Sequence, residues 1–66
     1  GMEAFHRLIP DSAARLKRGG YLLLEVGVGM AHKVMELIGR EGLSPEGVLE
    51  DLQGIPRCIV SRRRHG

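Results

Sequence analysis

The chain has 66 residues, a net charge of +2 and 42% apolar content. That length supports one small core, burying only about 60% of the unfolded surface. The charge is too small to imply nucleic-acid binding by itself, and nucleic acid is not expected as a partner. Cys58 is the only cysteine, so an intrachain disulfide and a secreted disulfide scaffold are excluded. No apolar run approaches the ~20 residues of a membrane span, and no signal peptide is visible, so the expected setting is cytoplasmic without membrane association. Gly1 ahead of Met2 reads as a residue left by tag removal. With Phe5 and Tyr21 the only aromatic residues, the core must be aliphatic.

The first predicted element is a helix from about Met2 to Arg18. Phe5, Leu8, Ile9, Ala13 and Leu16 recur at helical spacing. Lys17 and Arg18 suit its carboxyl end, and Gly19 is the expected left-handed stop. Pro10 interrupts the pattern, because a proline inside a helix costs about 3 kcal/mol. A kink there, or a helix beginning near Pro10, is expected.

Gly19-Gly20-Tyr21-Leu22-Leu23-Leu24-Glu25-Val26-Gly27 is the most informative stretch. A glycine pair stops the helix, and Tyr21 to Val26 reads as a strand buried on both faces. That is the grammar of parallel α/β sheets, in which ligands gather beyond the carboxyl ends of strands. The next helix runs from about Gly29 to Glu41, with Ala31, Val34, Met35 and Ile38 as its apolar stripe. Glu36 and Arg40 are spaced to pair across one turn. Gly42 ends it, and Ser44-Pro45-Glu46-Gly47 is a predicted turn. Val48 to Leu52 and Arg57 to Arg62 read as strands joined by the reversal Gln53-Gly54-Ile55-Pro56, most simply an antiparallel hairpin. The order is α-β-α-β-β, forming a single unit over residues 1–66 with a basic tail at 62–66.

Candidate sites are few. Glu25-Val26-Gly27-Val28-Gly29-Met30-Ala31 follows a strand and opens a helix, as a nucleotide-cradling loop does. Glu50 or Asp51, about twenty residues on, stands where a ribose-binding acid would. The match is incomplete, since the third glycine is replaced by His32 in one pattern and Ala31 in the other. His6, His32 and His65 lack ligand spacing, so no metal site is expected. Cys58 lies in the apolar run Cys58-Ile59-Val60 and reads as a small buried hydrophobe. Asp51 and Arg57 flank the hairpin turn, and a structural charge pair is favoured over a partner contact. Arg62-Arg63-Arg64 reads as a solvated tail; its alternative is an electrostatic contact with RNA or an acidic partner.

Taken together, Leu16, Gly19-Gly20, Leu22-Leu23-Leu24-Glu25-Val26-Gly27, Asp51-Leu52-Gln53-Gly54-Ile55-Pro56-Arg57 and Cys58-Ile59-Val60 resemble the carboxyl-terminal end of the HemK (PrmC) family. These are protein-(glutamine-N5) methyltransferases acting on peptide chain release factors. The family-pattern positions are Glu25, Gly27, Asp51, Gly54 and Arg57. One departure is Met30, where the family often carries glutamine. The resemblance implies a piece of a class I S-adenosylmethionine-dependent methyltransferase sheet, Rossmann-like. It would have three strands, the last one central and antiparallel, and two helices on one face.

The resemblance also places the Gly-x-Gly segment on a late strand, away from the family's cofactor loop. That loop and the Asn-Pro-Pro-Tyr substrate motif would lie upstream. No catalytic or cofactor-binding residue is therefore expected in this chain, which contains no asparagine. S-adenosylmethionine and a release factor would be ligand and partner of the full-length family, while this chain alone is expected to be inactive. The uncovered sheet face and outer strand edge predict homo-oligomerisation. The alternative is a stand-alone interaction module that binds through its hairpin or arginines.

Overall fold

The computed structural model describes residues 2–64. Among them the chain forms α1 (Glu3–Arg15), β1 (Tyr21–Glu25), α2 (Ala31–Arg40), β2 (Leu43–Glu50) and β3 (Pro56–Arg63). The sheet order is β1-β3-β2, with β3 antiparallel to both neighbours. The expected α-β-α-β-β order and central last strand are both present.

α1 runs through Pro10 without a break in assignment, so the helix does not begin there. Ile9 and Ala13 are buried, and Phe5 and Leu16 pack on the same core. This packing spans both sides of the proline and offsets its missing donor. The helix ends at Arg15, three residues earlier than expected. Leu16 turns extended, and the Gly20 N–H closes a turn on the Lys17 carbonyl at 2.8 Å. Gly19 has φ 76° inside that turn. Its left-handed backbone thus serves a β-turn beyond the helix, not the helix stop itself.

β1 is not buried on both faces. Leu24 is buried and Leu22 half-buried, whereas Tyr21, Leu23 and Glu25 are exposed. The reason is that an antiparallel sheet can leave one face uncovered. The inner face joins Leu24, Ile59 and Leu43 to Val34, Leu37 and Ile38 of α2 and to Ile9 and Ala13 of α1, in one cluster with Val26. Leu37 extends the stripe read from sequence. Ser61 is fully buried among these side chains, and its hydroxyl donates to the Leu22 carbonyl at 2.9 Å. That bond answers the cost of a buried polar atom.

The segment Ser44-Pro45-Glu46-Gly47 is strand, not turn. β2 begins at Leu43, and its register against β3 shifts between Pro45 and Gly47. Glu46 is the extra residue of a bulge. β2 is an edge strand, where a proline and a bulge are tolerated because no ladder continues outward. The antiparallel hairpin with β3 is present as expected, but β2 ends at Glu50 and not Leu52, Pro56 belongs to β3, and the register shifts a second time between Leu49 and Glu50.

The arginine run is not a solvated tail over its described part. Arg62 and Arg63 belong to β3. The Arg62 guanidinium sits 5.5 Å from the centroid of the Tyr21 ring. Arg63 Nη1 donates to the Ala13 carbonyl and, at 2.8 Å, to the Leu16 carbonyl. Arg64 reaches the carbonyls of Gly42 and Gly39, both at 3.3 Å. Two cations thus lie over the carboxyl ends of the two helices, where orphan carbonyls and the helix dipole favour positive charge. His65, counted in the tail and among the histidines, lies outside the described residues.

Candidate functional site at the carboxyl ends of the strands

β1 and β2 both run toward the end of the sheet that holds Glu25, Gly27, Asp51, Gly54 and Arg57. The register pairs Glu25 with Cys58 and Leu49 with Cys58. One further bond, Val26 N–H to the Arg57 carbonyl at 2.9 Å, ties the β1 exit to the hairpin. The family-pattern residues are therefore gathered at one end of the molecule.

Asp51 organises the hairpin loop. Its Oδ1 accepts from the N–H of Gln53 at 2.8 Å and of Ile55 at 3.0 Å. Its Oδ2 accepts from Arg57 Nε at 2.9 Å. Its main chain closes the loop as well: Asp51 N–H donates to the Ile55 carbonyl, and Gly54 N–H donates to the Asp51 carbonyl, both at 3.0 Å. Gly54 holds φ 79°, a conformation costly to any residue with a Cβ. Asp51, Gly54 and Arg57 of Asp-Leu-x-Gly-x-x-Arg thus have folding roles. The Ile55 N–H is the largest influence holding the Asp51 carboxyl below its usual range. Desolvation, second in size, opposes it, and the Gln53 N–H and the Arg57 guanidinium add to the lowering. The loop carries Leu52 fully exposed at its tip, with Leu49 and Val28 exposed nearby in sequence to the two loops.

The Gly27–Met30 segment is a second tight turn, closed by Met30 N–H on the Gly27 carbonyl at 3.1 Å. A Cβ on Gly27 would stand 3.2 Å from the Met30 sulfur. Met30 is the N-cap residue of α2 and makes no side-chain cap bond. The position at which the sequence departs from the family pattern is thus a helix cap.

The other candidates stay apart. His32 is exposed and pairs with Glu36 at 3.1 Å, displacing the expected Glu36–Arg40 pair. His6 is exposed on α1. Among the described residues, no group of three or more His, Cys, Asp or Glu could hold a metal ion. Cys58 is half-buried, less enclosed than its apolar neighbours suggest. The open groove of about 590 Å³ lies at the opposite end of the sheet, lined by Pro10, Ala13, Ala14, Glu41, Gly42, Arg63 and Arg64. It contains none of the family-pattern residues. The two arginine caps were missed from sequence; a cationic run after the last strand, with two helix ends needing donors, was the available signal. No described helix is long and apolar enough to cross a membrane.

Curated relatives bear on the same residues. A protein named release factor glutamine methyltransferase from Koribacter versatilis is 40% identical over 63 residues, covering 96% of this chain and 22% of that protein. Proteins of the same name from Bradyrhizobium diazoefficiens and Moorella thermoacetica are 38% identical over 64 residues and 37% over 65. They are covered to 22% and 23% of their lengths, and this chain to 96% and 97%. The chain's resemblance is to release factor glutamine methyltransferases. It extends over almost every described residue, both loops of the candidate site included. The chain spans less than a quarter of the length of these relatives. No protein-family model matches it, and no solved structure matches significantly.

Proposed function

We propose that this chain corresponds to the carboxyl-terminal part of a HemK-type protein methyltransferase, which methylates a glutamine side chain of release factors using S-adenosylmethionine. The observation that carries the reading is similarity along nearly the whole chain to proteins so named, together with an α-β-α-β-β fold whose last strand is central. In the parent, a class I Rossmann-like sheet, the unit completes the sheet. It presents the Asp51 loop and the Gly27 turn beyond the carboxyl ends of the strands, the region where α/β enzymes bind ligands. Glu25, Glu50 and Arg57 are exposed charges at that end, suited to contact with the release factor.

Taken alone, the chain has no methyltransferase activity. A carboxamide nitrogen is a weak nucleophile and needs orientation and polar assistance that an Asn-Pro-Pro-Tyr motif would give, and the sequence holds no asparagine. The test is transfer of labelled methyl groups from S-adenosylmethionine to a purified release factor. The chain alone should transfer none. The chain joined to a segment bearing the cofactor loop and substrate motif should transfer, and Arg57→Ala should then raise KM for the release factor. Transfer by the isolated chain, or saturable binding of S-adenosylmethionine to it, would overturn the reading.

A further inference from the structure

We draw no further inference here: the strongest candidate, the apolar outer sheet face that carries the exposed Leu23 and Leu49 and meets the hairpin tip at Leu52, carries nothing, because the chain spans less than a quarter of the length of its relatives and nothing in the structure shows what covers that face.

Discussion

The two ends of the sheet are held by the same chemistry deployed over different distances. At the hairpin end, Asp51 binds groups two, four and six residues away. At the other end, Arg63 binds carbonyls 50 and 47 residues away, and Arg64 binds carbonyls 22 and 25 residues away. The first arrangement shapes one loop. The second fastens both helices to the last strand, so it reports on the whole fold. A charged side chain that satisfies distant backbone has more structure depending on it than one that satisfies its own turn.

Arg63→Ala breaks the comparison most directly. It leaves the Ala13 and Leu16 carbonyls without their donor at a half-buried site. Hydrogen bonds from charged groups contribute about 1.5–3 kcal/mol, and a loss of about 2–3 kcal/mol is expected in urea unfolding. That is a large share of the stability of so small a domain. Arg63→Lys should recover part of it, since a point charge still complements the helix dipole but cannot fork between two carbonyls. Arg64→Ala, whose bonds are longer and exposed, should cost far less. Equal losses for the two would show that burial is not what separates them.

Gly54→Ala probes the local end. The left-handed backbone there costs a residue with a Cβ about 1–2 kcal/mol, and no atom within 4 Å would obstruct the added methyl. The loss should therefore be purely conformational. Gly54→Asn, which tolerates that region, should recover most of it. If alanine were neutral, the loop would be free to rearrange and Asp51 would not be its organiser.

The contrast between the ends also explains what was legible in the sequence. The Asp51 motif can be read because acceptor, glycine and donor lie within seven consecutive residues, and a turn of that kind needs those types at that spacing. The central place of β3 was reached by resemblance, because strand order is a tertiary property. Ser44-Pro45-Glu46-Gly47 carries turn composition, yet cross-strand pairing to Ser61 and Val60 makes it a bulged edge. β1 looked doubly buried because Leu22-Leu23-Leu24 has no polar alternation, and only the sheet's one-sided cover reveals Leu23 at the surface. The arginine run and two helix ends needing donors were visible as types, but nothing near the arginines in sequence says which carbonyls they will meet.

Met30→Asp sharpens the comparison from a third position. The start of α2 follows the Gly27 turn at the hairpin end, and Met30 gives it no cap bond. An aspartate there can accept from the first free N–H groups and complements the dipole, worth about 0.5–1 kcal/mol. Unfolding should show a gain of that size. A loss would mean that the Met30 contact with Gly27 outweighs capping.

The smallest effect is the acid dependence of Asp51. Its carboxyl titrates below the ordinary range near 4 because the loop bonds its ionised form. A folded-state value lowered in this way means that the unfolded chain binds the proton more readily. The contribution to stability is therefore complete above the unfolded value, and it fades as pH falls through the folded one. The loss is modest because a protonated carboxyl still offers one acceptor to the N–H of Gln53 and Ile55, while the attraction to Arg57 disappears. Asp51→Asn keeps that acceptor and removes the titration. The stability difference between wild type and Asp51→Asn should be constant from neutral pH down to about 5, then shrink as pH falls further. A difference that stays flat into strong acid would mean that the Ile55 and Gln53 bonds hold the loop without regard to charge. The local end would then depend on backbone geometry alone, and only the arginine end on ionic interactions.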